Sequence, residues 1–336
     1  MDKSSSKIKL TGILQKGLPW IVTIGIFIFL FKRIPINEVL QAITYVNLWK
    51  FTPIIIMAVA IYFLWDTFVF TLLFQDFGTQ VTYHELLPVR GSAILVWIMN
   101  YFAGMGSLAF LMNRWKKISI SRASSVVIFS FYLDYYMILF YCLVGAFWLP
   151  GVNLVSFFEI SEQGNFVRMI VISWLFFVFT ICFFNLLLPR SKGFKRLKKN
   201  EILFTFRNAA PLTYLKFMML KILSFFICDI VLVYGALAVF GLNVSFLYLI
   251  ALFPIVRLIE SIPISVMGMG TGQAAMIWLI APIIDNTSSQ VNHESALLAF
   301  SLLAMILANL GRFAIGATSI KFLPKNIWIS NKKTVL

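Results

Sequence analysis

Apolar residues in this chain come in runs of about 20, long enough for a helix to cross the hydrocarbon of a membrane. Thr52–Phe74, Ala123–Leu149, Met169–Leu188, Leu212–Phe240 and Ser295–Ile320 are such runs, and polar residues collect between them. Leu18–Phe31 is a shorter run, closed by Lys32-Arg33-Ile34-Pro35. Beyond it Ile36, Val39, Leu40, Ile43 and Val46 recur at helical spacing with polar residues between them. That pattern predicts a helix lying in the membrane interface.

Two further apolar stretches are interrupted. Gly91–Met112 carries Asn100 and the small-residue run Ala103-Gly104-Met105-Gly106-Ser107. Phe246–Ile284 carries Ile262-Pro263-Ile264-Ser265-Val266-Met267-Gly268-Met269-Gly270-Thr271-Gly272, with Arg257 and Glu260 just upstream. An unwound backbone cannot face hydrocarbon, because its N–H and C=O groups would lack partners. Each break must therefore be buried in protein or line a wet cavity, the setting of a transporter binding site. The centres also match, Gly104-Met105-Gly106-Ser107 against Gly268-Met269-Gly270-Thr271, each preceded by an arginine, Arg90 or Arg257. The expected fold is an all-α polytopic membrane protein with about six full spans and two Gly-interrupted re-entrant segments; the matching centres are read either as an inverted repeat or as chance similarity of Gly-rich helices.

Composition agrees. Of 336 residues, 60% are hydrophobic and 12% charged, which excludes a soluble protein and leaves no polar stretch long enough for a catalytic head. The net charge of +15 does not point to nucleic acid, because the Lys and Arg sit in short loops between apolar runs. The loop 113–122, the loop 189–200 with its six basic residues and the basic tail 323–336 are expected in the cytoplasm. The acid-leaning loops 150–168 and 285–294 are expected outside. The basic segment 1–17 has no cleavage site after it and reads as retained. Parity favours 91–112 dipping in and returning, with the connection 32–50 outside; the alternative is a full crossing that puts the basic N-terminus outside, against the charge rule. The divisions expected are 1–17, a membrane domain over 18–322 and the tail 323–336, in a bacterial or archaeal cytoplasmic membrane with the C-terminus cytoplasmic.

The three cysteines, Cys142, Cys182 and Cys228, lie in apolar helices without metal-ligand spacing and read as packing residues. No nucleophile elbow, zinc-protease motif or phosphate-binding loop is present, and the two histidines, His84 and His293, stand far apart in loops. No enzyme activity, cofactor or metal is expected.

Charges at membrane depth are the remaining signal. Asp66, Asp134, Asp229, Arg257, Glu260 and Arg312, with Asn100, fall inside apolar runs, where each centred charge costs about 2.5–3.5 kcal/mol. One reading is internal pairing: Arg257 with Glu260, and Asp134 or Asp229 with Arg312. The other is a cavity for an anionic headgroup. Arg90, Arg257 and Arg312 would then hold a phosphate, and Gly268, Gly270 and Gly272 would offer backbone N–H groups. Asn100, Asp134 and Glu260 complete that candidate site, with Asp66 and Asp229 as further intramembrane charges.

The arrangement resembles the membrane domain of the lysylphosphatidylglycerol synthase family, also called flippase-like, over most of the chain. The carriers are the short first helix with amphipathic Ile36–Trp49, Arg90-Gly91, Asn100-Tyr101-Phe102-Ala103-Gly104, Asp134, and Ile262 through Gly270. The chain departs from the family pattern at Ala103, Met105 and Leu108, at Ser130 and Phe131, and at Thr271-Gly272-Gln273-Ala274, so it is similar to a divergent member. The resemblance implies a lipid translocase. The soluble aminoacyl-transferase domain that some members carry is not expected here, nor is aminoacylation of lipid. The substrate expected is an anionic phospholipid, glycolipid or polyprenyl phosphate. The alternatives are a non-transporting accessory protein of envelope or polysaccharide synthesis, and a membrane glycosyltransferase. Further partners expected are a second copy of the chain or an envelope-biosynthesis protein.

Overall fold

A backbone surrounded by hydrocarbon must bond to itself, and the helix does so within one segment. A computed structural model describes residues 3–148, 163–190, 195–262, 264–284, 292–324 and 327, and these are helical almost throughout. In chain order the principal helices are α1 (Lys3–Arg33), α2 (Ile36–Tyr45), α3 (Leu48–Asp76), α4 (Tyr83–Met99), α5 (Tyr101–Lys116) and α6 (Ile120–Trp148). There follow α7 (Gln163–Cys182), α8 (Pro211–Val239), α9 (Phe246–Ser261), α10 (Thr271–Ile280) and α11 (His293–Ile320). A π turn at Phe183–Leu187 extends α7, and a second, Phe226–Val231, lies within α8.

Among the described residues five helices are long and apolar enough to cross a membrane: α3, α6, the helix ending at Arg190, α8 and α11. The pair α1 and α2, bent by 83° at Ile34-Pro35, is a sixth candidate. This is the all-α polytopic fold expected from the apolar runs. The loops 150–168 and 285–294 and the tail 323–336 fall largely outside the described residues, as does Pro263.

The chain divides into two compact units. The first gathers Met1–Ile55, Tyr141–Asn153 and Ile230–Leu307; the second gathers Ile56–Phe140, Leu154–Asp229 and Ala308–Leu336. In the first unit Phe51 packs edge-on against Phe240 and Phe300, with ring centres 5.4 and 5.7 Å away. In the second, Phe129 packs edge-on against Phe206 and Tyr214 at 5.2 and 4.9 Å. Such edge-to-face pairs each add about 0.5–1.5 kcal/mol beyond area burial.

Each unit holds one of the broken segments, and each segment turns back on itself. In the second unit α4 and α5 form a hairpin about Asn100, whose extended backbone ends α4 and whose Oδ1 accepts the Ala103 N–H at 2.9 Å. The pairs Trp97 with Gly104 and Ala93 with Ser107 show the two helices running in opposite directions. The two feet meet where Lys116 Nζ lies 3.4 Å from Glu85 Oε1. The segment therefore turns back at Asn100, and its two ends lie together. Small residues then let α11 approach α4: a Cβ on Gly91 would lie 2.6 Å from Ser319 Cβ, and one on Gly316 would lie 2.5 Å from Leu95 Cγ.

In the first unit α9 and α10 form the other hairpin, and its feet meet in an isolated bridge between Val244 and Ile284. The break between them contains a 3-10 turn, Val266–Gly268, and positive φ at Gly268 (+74°) and Gly270 (+86°), which glycine adopts without strain. Its polar backbone is largely paired. Val266 N–H donates to Thr23 Oγ1 of α1 (2.9 Å), Met269 N–H to Val266 O (2.9 Å) and Gly270 N–H to Gln273 Oε1 (2.6 Å).

The matching glycine motifs do not sit alike. Gly104 and Gly106 are helical residues of α5, beyond the break at Asn100, whereas Gly268 and Gly270 are the break itself. Asparagine ends one helix and caps the next at Asn100, so the glycines after it are free to serve packing.

Gly104→Ala would drive a methyl into the Trp97 main chain and should destabilise the protein by about 1–3 kcal/mol. Gly106, with nothing within 4 Å of its Cβ position, should accept alanine without loss. Thermal unfolding in detergent compares them. Single cysteines replacing the exposed His84 and Lys117 in a cysteine-free background should react with an impermeant maleimide from the same side of the membrane. Reaction from opposite sides would mean that α4 and α5 cross it.

Candidate functional site

Intramembrane charges must find partners, and the second unit shows how four of them do. Asp66 of α3 accepts from Arg90 of α4 twice, Nε to Oδ2 at 2.9 Å and Nη2 to Oδ2 at 2.7 Å. Its other oxygen accepts from Lys221 of α8 at 3.1 Å. Lys221 also reaches Asp134 of α6, with Nζ 2.9 Å from Oδ1. Two cations and two carboxylates cancel, and both cations lie over the Phe70 ring, 5.4 and 5.6 Å from its centre. Lys221 and Asp66 are buried. Beside them lies a cavity of only ≈ 20 Å³, lined also by Tyr62, Ser224 and Asp229. That is room for about one water, not for a lipid headgroup.

Elsewhere in that unit, Arg312 donates to Asn309 Oδ1 at 3.1 Å and lies over the Trp97 ring. Asn100 is the cap of α5, so its oxygen is already engaged. The second unit thus brings Arg90, Asp66 and Asp134 together, and adds a residue that sequence reasoning passed over. Lys221 is buried well inside α8, which begins at Pro211. The signal for it is the surplus of aspartates in apolar runs, which needs a cation within an apolar run to balance it.

The first unit is arranged differently. Arg257 Nη1 donates to Glu260 Oε2 at 2.6 Å and its guanidinium lies over Phe253. These side chains keep 35% and 33% of their surface exposed, so the pair is bonded but not sealed in a dry core. Glu260 is seated by the glycines. A Cβ on Gly268 would collide with its side chain, and one on Gly272 would lie 3.3 Å from its carboxyl carbon. The carboxylate thus lies near the N-terminal turn of α10, where the helix dipole favours an anion. The anion that the glycine break attracts is one the chain supplies itself. Gly270 serves a different contact. A Cβ there would come within 3.1 Å of Ile26, so its absence lets α1 lie against the break.

Along this hairpin runs a cavity of ≈ 720 Å³. Ile26 and Phe29 of α1 face Ala274, Ile277 and Trp278 of α10 across it; Thr271 and Ile259 line the end near the break, and Arg33, His293 and Glu294 line the other. Thr271 to Pro282 spans roughly 16 Å at 1.5 Å per residue, about half the hydrocarbon thickness. Among the described residues no group of three or more His, Cys, Asp or Glu side chains is placed to hold a metal ion.

The sequence profile of the lysylphosphatidylglycerol synthase TM region matches residues 18–316. The chain belongs to that family. The match takes in both hairpins, the charge quartet and the groove, and places the protein among integral membrane proteins with a lipid-related role. No curated protein and no solved structure matches the chain. In this family member Lys221 and Asp66 are the buried centre of one charge set, in which Asp134 keeps 23% of its side-chain surface exposed, and Arg257–Glu260 is a second, more exposed pair.

Removing one partner of a buried ion pair strands the other, at a cost of about 3–5 kcal/mol. Lys221→Met should destabilise the protein by that order in detergent unfolding, and adding Asp134→Asn should recover part of the loss. Equal stability of Lys221→Met and wild type would show that the quartet is not closed.

Proposed function

We propose that this family member translocates a membrane lipid, carrying the headgroup past the Arg257–Glu260 pair while the acyl chains stay apolar in the groove and the surrounding bilayer. The observation that carries this reading is the groove itself: a lipid-sized, mainly apolar cavity leading along α10 toward a break with a partly exposed ion pair. The matched family supports a lipid as cargo. An anionic phospholipid, glycolipid or polyprenyl phosphate suits Arg257, because a guanidinium makes paired hydrogen bonds to phosphate and stays ionised. On arrival such a headgroup replaces Glu260 as the partner of Arg257. Of the other residues proposed for the headgroup, Gly268 and Gly272 act by seating Glu260, and Gly270 by seating α1. Arg90, Asn100, Asp134 and Arg312 belong to the second unit, where they hold its helices and cap its hairpin.

By the distribution of basic loops, the C-terminus and the loop between α5 and α6 are cytoplasmic in a bacterial or archaeal membrane. The groove's polar end then belongs to the outer leaflet. No chemical step on the lipid is part of this reading. The rival reading, a non-transporting accessory protein, draws on one observation, the quartet around Lys221, which is saturated and leaves no room for a substrate.

Leaflet exchange of labelled phosphatidylglycerol in proteoliposomes decides between them. Wild type should accelerate exchange over protein-free vesicles, and Arg257→Ala should slow it at least ten-fold with unfolding temperature unchanged. Exchange no faster than in empty vesicles, for every anionic lipid class, would leave the accessory reading standing.

A further inference from the structure

We propose that α1 is a hinged wall between the groove of the first unit and the bilayer, anchored at Arg33 and latched at Thr23, whose swing opens the groove sideways. This rests on the reading above only in that the groove takes lipid.

The outer end of α1 is fixed. Arg33 donates to Glu294 twice, Nε to Oε2 at 3.0 Å and Nη2 to Oε1 at 2.5 Å, the forked geometry in which a guanidinium holds a carboxylate best. Leu30 and Ile34, on either side of it in the chain, are buried. Past the 83° bend α2 buries Val39 and Ala42, and its Glu38 accepts from Ser295 Oγ at 2.6 Å. The bend is thereby clasped to the start of α11 at two points.

The inner end is held lightly. Among the described residues its polar tie to the hairpin is one neutral hydrogen bond, from Val266 N–H to Thr23 Oγ1 at 2.9 Å. Beside that latch Ile26 lies against Gly270. The helix is also weakened here. Pro19 lies inside α1 and removes a backbone hydrogen bond. Gly25 stands between latch and anchor, and a Cβ there would meet nothing within 4 Å, so no neighbour requires glycine. What glycine supplies at that position is freedom to bend.

The two sides of α1 face different surroundings. Trp20, Ile21, Ile24 and Ile28 share one side of the helix and are exposed, as residues facing hydrocarbon are. Thr23, Ile26, Phe29 and Leu30 share the other side, and the last three line the groove. A lipid coming from the bilayer therefore meets α1 before it meets α10. Bending at Gly25 parts Thr23 from Val266 and opens the groove at the end nearest the break, while Arg33 and α2 stay in place. The Val266 N–H then loses its partner away from water, so the closed arrangement is the resting one.

The test measures distances by electron spin resonance on the full-length protein in nanodiscs of phosphatidylethanolamine and phosphatidylglycerol, in a cysteine-free background. Spin labels on Trp20→Cys and Ile306→Cys, both exposed positions of the first unit, report the inner end of α1. Labels on Leu40→Cys and Ile306→Cys report the anchored bend. The first pair should show a major and a minor distance, and the second pair one. Thr23→Val, which keeps the shape and loses the acceptor, should raise the minor population at least three-fold. Gly25→Ala should lower it by a similar factor with unfolding temperature unchanged or higher. A single distance at Trp20 in both wild type and Thr23→Val overturns the proposal. So does movement of Leu40 equal to that of Trp20, or an unchanged minor population in Gly25→Ala. Leaflet exchange of labelled phosphatidylglycerol on the same proteins separates the two readings: opening without exchange removes only translocation, and exchange with a single distance removes only the gate.

Discussion

Over most of its length this chain cannot turn to water to satisfy a polar group, and that constraint explains nearly every feature of the structure. It makes the backbone helical. It forces each break in a helix to find partners nearby, as Val266 does in Thr23 of α1 and Gly270 in Gln273. It also gathers charges from α3, α4, α6 and α8 to one point in the second unit. A quartet with a buried centre is a poor source of net stability, because the desolvation of its ions offsets their attraction, and well-packed apolar residues could serve as well. Its consequence is specificity. With Asp66 bound to both Arg90 and Lys221, and Lys221 bound also to Asp134, any rotation or slip of one of those helices strands a charge in a place where none can be left.

Much of this was legible in the chain before any coordinates. The spans follow from the length of apolar runs, a signal set by membrane thickness and therefore strong. Both hairpins follow from interruption of such runs. The partners of the charges were not legible. Lys221 meets Asp134 across 87 residues and Asp66 across 155, and no spacing rule reaches so far. Arg257 and Glu260, three residues apart on one helix, were paired correctly because helical geometry alone brings them together.

Glycine misled for an instructive reason. A Gly-rich break suggested free N–H groups waiting for a phosphate, since a helix N-terminus favours an anion whatever its source. The chain contains such an anion in Glu260, and Gly268 and Gly272 leave the space in which its side chain lies. In the other hairpin the same residue type does neither. Gly104 is helical and lets Trp97 come close, while the cap at Asn100 makes the turn. Composition reports that a glycine is needed; only the neighbours show whether for a turn, a contact or a ligand.

The two units therefore differ in a way that bears on function. In the second, every intramembrane charge of the quartet has a near-ideal partner, and the adjacent space admits about one water. An element so saturated holds its shape. In the first, the two charge pairs, Arg257–Glu260 and Arg33–Glu294, are both partly exposed and both border an apolar hairpin with a groove along it. A ligand can shift a structure only by bonding to one arrangement better than another, and a charged headgroup can compete for a partly exposed pair where it cannot reach a buried one. If lipid moves through this protein, it is the first unit that must yield to it.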